Sequence, residues 1–460
     1  MQVPHSLINS LLDTKEFNKD AFEYAHAVIS PVTAIRINTQ KTTYDHLSQG
    51  FSDNIITPVP WSSSGYYLDK RPSFTLDPLF HGGAYYVQDA SSMFLEEAMK
   101  QAVDLSMPLK VLDLCAAPGG KSTLIQSLIS SDSLLVSNEV IKARVNILAE
   151  NITKWGAANV IVTNNDPKDF QRLANYFDVI VVDAPCSGSG LFRKDPEAVD
   201  EWSEQNVQLC SQRQQRILAD IMFSLRPGGV LIYSTCSYSP QEDEDIADWL
   251  MQNYSLDTIR YQLRKEWNIV ETMSPKNSAY GYRFYPDKLM GEGLFIAAFK
   301  KNEDDKTASP AIPSKGKLEK LTTGEMESVR PFLKNAGDFF YIKQNEEILA
   351  IPIHLEKELI VIRSALYIKK AGVKLGVSIR NELIPDHELA VSAIIAAGVT
   401  AWEADKETAL QYLRRQEIKP PILRKGWTLV THRQLKLGWI KILPNRLNNY
   451  YPKDWRILNK

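Results

Sequence analysis

Two cysteines in this 460-residue chain stand where a thiol could do chemistry. Cys186 lies in Asp183-Ala184-Pro185-Cys186-Ser187-Gly188-Ser189-Gly190 and Cys236 in Ser234-Thr235-Cys236-Ser237, each just after a β-branched run that reads as a strand. A thiolate in such a place can attack an electrophilic carbon and split one hard step into two through a covalent intermediate. Most cysteines are small buried fillers. That reading suits Cys210, on the apolar face of a helix with Val207, Ile217 and Ile221, and suits the polar loops of Cys186 and Cys236 badly. No CxxC pair occurs among the four cysteines, so no metal site is expected.

A third segment points to a nucleotide. Cys115-Ala116-Ala117-Pro118-Gly119-Gly120-Lys121-Ser122 follows a predicted strand and opens a predicted helix over 123–128. Small residues there let the backbone approach a ligand, and the helix N-terminus favours its polar groups. Gly120-Lys121-Ser122 imitates the end of a P-loop, but the pattern requires glycine at 115, where Cys115 stands. A P-loop NTPase, indifferent to both thiols, is therefore the weaker reading. Glu139 ends the next strand, 20 residues after Gly119, where a ribose-binding acid belongs, and Asp166 follows the third strand, placed to contact an adenine. A lone acid at a strand end is more often a helix cap. Two at successive strand ends behind a glycine loop indicate an adenosine cofactor, and the absence of G-x-G-x-x-G disfavours NAD. S-adenosylmethionine fits best.

The elements that must hold these groups are legible. Short apolar runs at Lys110–Leu114, 134–137, 160–163, 179–182 and 230–233 alternate with helical segments, the pattern of βαβ units. This predicts an α/β, Rossmann-like core with a mostly parallel doubly wound sheet, which Phe295–Phe299 is expected to close. Strands following one another in such a sheet lie about 4.8 Å apart and bind ligands beyond their carboxyl ends, so both thiols should converge on the cofactor crevice. The expected organisation is an N-terminal α/β region over 1–105 with a short strand at Ala34–Thr39, a catalytic domain over 106–300, a linker over 301–318 rich in charge, Pro and Ser, and a C-terminal extension over 319–460 with strand-like pieces at 427–430 and 438–442.

Composition sets bounds. Apolar residues make up 44% and charged residues 23%, the mixture of a globular chain, and the net charge of −2 does not advertise nucleic acid. Charge is uneven, however. From Pro420 to Lys460 nine Lys and Arg face Asp454 alone, interleaved with Trp427, Trp439, Tyr450, Tyr451 and Trp455. Many basic runs are mere solvated surface, but aromatics among cations suit RNA, whose bases stack. No apolar stretch reaches the roughly 18 residues of a membrane span, and the N-terminal residues do not read as a secretion signal, so a cytoplasmic protein is expected.

A methyl donor beside two thiols suggests a specific reaction. Carbon 5 of a pyrimidine is a poor nucleophile, and thiolate addition at carbon 6 converts it into an enamine-like one. A second thiol can then assist release, and Asp183 can hydrogen-bond the cytosine edge. The residues alone leave open which thiol attacks.

Val111-Leu112-Asp113-Leu114-Cys115-Ala116-Ala117-Pro118-Gly119-Gly120-Lys121, Asp183-Ala184-Pro185-Cys186-Ser187-Gly188 and Ser234-Thr235-Cys236-Ser237 together resemble the motifs of the RNA 5-methylcytosine methyltransferases, the NSUN/RsmB/RsmF family. Arg36-Ile37-Asn38 and Tyr86-Val87-Gln88-Asp89-Ala90-Ser91-Ser92 are similar to that family's N-terminal motifs, and the tail, with Gly438-Trp439 and Arg446–Pro452, resembles the RsmF-type extension ending in a PUA-like RNA-binding module. The resemblance implies a class I methyltransferase core, with S-adenosylmethionine held by 115–121, Glu139, Asp166 and Asp183. It implies Cys236 as nucleophile and Cys186 in product release, with Lys121 near the methionine carboxylate or the base. It further implies 16S rRNA in the small ribosomal subunit as substrate, methylated at a cytosine of the decoding region. The same motifs would serve a tRNA enzyme, and an inactive assembly factor would have no need of either thiol. A monomer is expected. One departure is Glu242-Asp243-Glu244, where relatives often carry asparagine in the middle.

Overall fold

The computed structural model describes residues 2–458 apart from 29, 52–54, 303–317 and 421–423. The apolar runs form β1 (Lys110–Asp113), β2 (Leu134–Asn138), β3 (Val160–Thr163), β4 (Phe177–Asp183) and β5 (Leu225–Thr235), parallel in the order β3-β2-β1-β4-β5. They lack polar alternation because the sheet is covered on both sides. Leu112, Val136, Ile161, Ile180 and Leu231 enter one core, while Val111, Leu135, Val162, Val181 and Ile232 enter the other. The covering helices include α1 (Gly120–Leu128), α2 (Lys142–Trp155), α3 (Glu204–Ile221) and α4 (Glu244–Asn253). The strand order reverses between the parallel neighbours β1 and β4, which opens a crevice at their carboxyl ends. Cys210 is buried on α3 with Val207, Ile217 and Ile221.

Phe295–Phe299 does not close the sheet, contrary to the sequence reading. It lies in β9 (Leu294–Lys301), antiparallel to β5, while β6 (Leu256–Thr258) and β8 (Tyr280–Phe284) share its other side and β7 (Val270–Met273) lies beyond β8. The reason is burial: all five residues are at most 1% exposed, and an edge strand with no polar face would leave that surface in water. At the opposite edge β10 (Ile368–Ala371), from the C-terminal part of the chain, pairs antiparallel with β3 and brings the sheet to ten strands.

The N-terminal strand falls at Thr33–Ile37 and pairs with Gly65–Leu68 and Tyr85–Val87. Its Arg36 is fully buried. The guanidinium donates to Gln88 Oε1 (2.9 Å), Thr123 Oγ1 (2.6 Å), Gly120 O (3.3 Å) and Thr123 O (3.4 Å), and lies 4.5 Å from the Trp155 ring. Arg36 thus fastens the N-terminal region to the first turn of α1, and burial lowers its pKa to about 9.

Most of the linker expected over 301–318 lies outside the described residues. Beyond it stand two four-stranded sheets, the first of Phe339–Gln344, Glu347–Pro352, Val373–Ile379 and Glu382–Pro385. The second comprises Ala401–Glu403, Gly426–His432, Leu435–Ile442 and Leu447–Asn449, and contains both strand-like pieces of the tail. The aromatic row of the tail divides. Trp439 and Tyr451 are core residues with 0% exposure, so base stacking is closed to them, while Trp427, Tyr450 and Trp455 are partly accessible. Among the described residues no helix is long and apolar enough to cross a membrane.

Replacing Arg36 by Met leaves the buried Gln88 Oε1 without its donor and strips the first turn of α1 of its hydrogen bonds to the N-terminal region. The expected cost is about 2–4 kcal/mol in urea unfolding, because orphaning buried partners of a charged donor is expensive.

Candidate active site

Asp183 at the end of β4 pairs with Ser234 in β5, so the two loops leaving these strands start side by side. Cys186 Sγ and Cys236 Sγ come within 3.1 Å of each other, and both cysteines are free. The loops are sewn together. The Gly190 amide donates to Cys236 O (2.8 Å) and the Tyr238 amide to Ser189 Oγ (2.8 Å). A Cβ at Gly190 would stand 2.7 Å from the carbonyl oxygens of Cys236 and Gly293, so only glycine permits this approach.

Beneath the thiols, Glu242 ties both loops to α3. Its Oε1 accepts from the Ser187 amide (2.8 Å) and Gln214 Nε2 (3.1 Å), and its Oε2 from Ser237 Oγ (2.6 Å) and Ser187 Oγ (2.5 Å). Burial pushes its pKa up, against the pull of these donors. Nothing in the sequence marks Glu242, since Ser187 is 55 residues away and Gln214 is 28. Its neighbour Asp243, the departure noted above, is fully buried and accepts from Thr235 Oγ1 (2.7 Å), the residue before Cys236. Burial drives Asp243 well above the ordinary carboxylate range, although Arg283 Nη2 lies 3.1 Å away and pulls it down.

The contact with Cys236, then burial, then the Cys236 and Glu242 charges raise the pKa of Cys186 well above that of an ordinary thiol. Lys121 Nζ sits 2.7 Å from Asp183 Oδ2, and Ser234 Oγ donates to Asp183 Oδ1 (2.9 Å). Burial works against the Lys121 ammonium, but Asp183, with smaller help from Asp113 and Cys236, holds its pKa above the usual lysine value. Lys121 therefore remains a cation within the field of the Cys236 sulfur.

The glycine loop runs from the end of β1 into α1. Cys115 and Gly120 are half-buried, Ala116, Ala117 and Gly119 buried, and Pro118 exposed. Gly119 has φ +116, a conformation other residues resist, and its site is walled by Leu148. The Ala117 and Pro118 carbonyls accept from Arg144 Nη2 (2.6 Å) and Asn151 Nδ2 (2.8 Å), both on α2. Below the loop, Asp113 Oδ2 accepts from Ser122 Oγ (2.6 Å), while its Oδ1 is buried without a partner; burial pushes this carboxyl up to about 7.

Glu139 and Asp166 both lie at the carboxyl edge. Glu139 Oε1 accepts from the Ile141 amide (2.9 Å), and its Oε2 lies 3.6 Å from Arg144. Asp166 spends Oδ1 on the Lys168 amide (3.1 Å), so it caps a helical turn, the bland role, with one oxygen only. Sequence reasoning missed the residue that gathers these strand ends. Asn138 donates to Leu114 O (3.2 Å) and Asn165 O (3.0 Å) and accepts from Thr163 Oγ1 (2.9 Å) and the Asn165 amide (3.0 Å). The donor set fits an adenosine cofactor: a close backbone approach at Gly119, a carboxylate for ribose hydroxyls at Glu139 and an acceptor for an amino group at Asp166. Among the described residues no group of three His, Cys, Asp or Glu is placed to hold a metal ion.

The chain is similar to known ribosomal RNA methyltransferases. Residues 102–300 match the model for 16S rRNA methyltransferase RsmB/F, residues 5–90 the N-terminal domain of 16S rRNA methyltransferase RsmF, and residues 399–457 the methyltransferase RsmF PUA domain. Ribosomal RNA small subunit methyltransferase F of Aliivibrio fischeri MJ11 is 28% identical, covering 98% of this chain and 97% of the relative. Its counterpart in Escherichia coli O81 is also 28% identical, covering 92% and 89%. The structure is similar to a methyltransferase homologue from Pyrococcus horikoshii (TM-score 0.52, 27% identity, 65% of this chain and 100% of that one). A second similar fold is NSun6 of the same organism, solved with the S-adenosylmethionine analogue SFG (TM-score 0.55, 19% identity, 65% and 99%).

Two outcomes follow from the buried acids. Glu242→Gln sets an NH2 against converging donors and should destabilise the chain by about 2–3 kcal/mol in denaturant unfolding. It should also lower turnover at least tenfold while S-adenosylhomocysteine affinity, read by calorimetry, stays within twofold. Asp113 has a folded pKa near 7 against 3.8 when unfolded, so its stabilising contribution is complete below about pH 4 and is lost as pH rises through 7. Asp113→Asn should remove up to about 1.4 kcal/mol per pH unit from the fall in ligand-free stability over that window.

Proposed function

The chain belongs to the RsmB/F family of 16S rRNA methyltransferases, and from that premise we propose that it methylates carbon 5 of a cytosine in the 16S rRNA of the small ribosomal subunit. The substrate cytosine lies in the decoding region, and the enzyme works in the cytoplasm, where ribosomes are. The observation that carries the chemistry is the 3.1 Å contact of two thiols at the carboxyl edge of a cofactor sheet. Residues 115–121, Glu139, Asp166 and Asp183 hold S-adenosylmethionine, which supplies when bound the electrophilic methyl group that carbon 5 takes up.

The residues divide the work. Cys236 attacks: its sulfur forms the bond to carbon 6, and the electron pair of the C5–C6 double bond moves to carbon 5. The resemblance of Ser234-Thr235-Cys236-Ser237 to the family's nucleophile motif supports this assignment, and the Cys186 thiol 3.1 Å away can donate to the Cys236 thiolate and stabilise it. Lys121 adds positive charge to the same end. Asp183, fixed by Lys121 and Ser234 and about one-third exposed, offers its carboxylate to the amino edge of the flipped base. After methylation water takes up the proton from carbon 5, the C5–C6 double bond re-forms and the C6–S bond breaks with its electron pair leaving on the Cys236 sulfur. The Cys186 thiol, already beside the departing sulfur, donates a hydrogen bond to the Cys236 thiolate and so stabilises it as the leaving group.

The test incubates purified protein and S-adenosylmethionine with small subunits from cells lacking the endogenous enzyme, then analyses digested rRNA for 5-methylcytidine. Appearance of the nucleoside supports the proposal; its absence there, with methylation of tRNA instead, overturns the substrate. Cys236→Ala should abolish the product. Cys186→Ala should accumulate a protein–RNA adduct that survives denaturing electrophoresis, and normal turnover without adduct would refute its role.

A further inference from the structure

The carboxyl edge of the sheet extends into the C-terminal part of the chain. In the pairing of β10 with β3, Ile368 stands opposite Thr163, so Tyr367 emerges beside the loop that leaves β3. There its backbone clasps two asparagines. The Tyr367 amide donates to Asn165 Oδ1 (2.9 Å), and its carbonyl accepts from Asn165 Nδ2 (2.9 Å) and the Asn164 amide (3.2 Å).

Those asparagines lead to the cofactor acids. Asn164 Nδ2 donates to the carbonyls of Glu139 (2.6 Å) and Val140 (3.0 Å), while Asn165 precedes Asp166 directly and is held from the other side by Asn138. Asn165 is only 9% exposed, so these amide bonds are sheltered from water and costly to break. Further contacts fasten the same segment. Arg172 Nη1 donates to Ala365 O (3.0 Å) and the Tyr176 hydroxyl to Glu358, both acceptors on α5 (Glu356–Ala365). Val140, Ile141 and Tyr367 are 52%, 49% and 64% exposed, large apolar and aromatic surface in the elements around this end of the crevice. Such surface is what an adenine ring would cover.

We propose that the adenine end of the cofactor site is completed by the C-terminal part of the chain, with Asn165 as the positioning residue through which Tyr367 holds the Glu139 and Asp166 loops in register. Docking of the segment around Tyr367 and affinity for the cofactor are then one coupled equilibrium. By reciprocity, cofactor that favours the docked loop strengthens docking by the same factor. The inference rests on the cofactor and not on the methyl acceptor: a protein that bound cofactor as described but left 16S rRNA unmethylated would overturn the proposed function and leave this inference standing.

The experiment uses the full chain and S-adenosylhomocysteine, the demethylated cofactor. Asn165→Ala removes both side-chain bonds to Tyr367 and leaves Glu139 and Asp166 in place. Its dissociation constant, read by titration calorimetry, should rise at least tenfold, whereas Asn165→Asp, which keeps the acceptor for the Tyr367 amide, should fall between. In the wild type, S-adenosylhomocysteine should slow amide hydrogen exchange over 366–371, a readout that needs no variant and so survives if Asn165→Ala folds poorly. An Asn165→Ala affinity within twofold of wild type, or exchange over 366–371 unmoved by ligand, would overturn the proposal.

Discussion

A buried carboxylate with four donors holds the candidate active site together. Glu242 takes Ser187 from the first thiol loop, Ser237 from the second and Gln214 from the helix behind, so neither loop can move without breaking a sheltered charge-assisted hydrogen bond. Two flexible thiol loops would rarely present both sulfurs to one atom pair. Clamped at their base, and spaced by the parallel pairing of β4 and β5, they bring Cys186 and Cys236 to 3.1 Å. Gly190 gives the close approach, and Asp243 fixes Thr235 on the other flank. The proposed chemistry needs that distance more than any other feature.

The same logic of borrowed anchoring runs through the rest of the chain. The last carbonyls of α2 serve as a junction. Asn38 Nδ2 donates to Trp155 O (3.0 Å), Lys41 Nζ to Lys154 O (2.5 Å), and the Ala393 amide to Gly156 O (3.0 Å). N-terminal and C-terminal elements thus dock on one helix end, whose dipole favours donors and cations. Burial lowers the Lys41 pKa to about 7, so this anchoring comes at a desolvation cost. Arg36 repeats the device at α1, and Tyr367 at the loop after β3.

What the sequence made legible follows from local physics. Strands buried on both faces must be apolar runs, so all five parallel strands were visible, and small polar loops at their ends marked the thiols and the candidate cofactor loop. Glu139 and Asp166 were expected at the carboxyl edge by their position after successive strands, and the structure has them there. What escaped depends on distant partners. Glu242 sits in an acidic run, and Asn138 and Asn165 are ordinary asparagines until three strand ends meet around them. β10 reads Ile-Lys-Lys-Ala, two charges that hide a strand added to the sheet from just over 200 residues beyond β3. The buried row Phe295–Phe299 looked like a final strand because apolarity shows burial but not how many neighbours supply it. In the tail, Trp439 and Tyr451 resembled stacking platforms until packing placed them in the core.

The central claim is that Cys236, and not Cys186, carries the base. The direct measurement offers the enzyme small subunits whose 16S rRNA contains 5-fluorocytidine at the target position. Fluorine at carbon 5 cannot leave as a proton does, so the covalent adduct persists. Digestion and mass spectrometry of the linked peptide should place the nucleotide on Cys236. A nucleotide on Cys186, or methyl transfer with no adduct at either cysteine, would contradict the account.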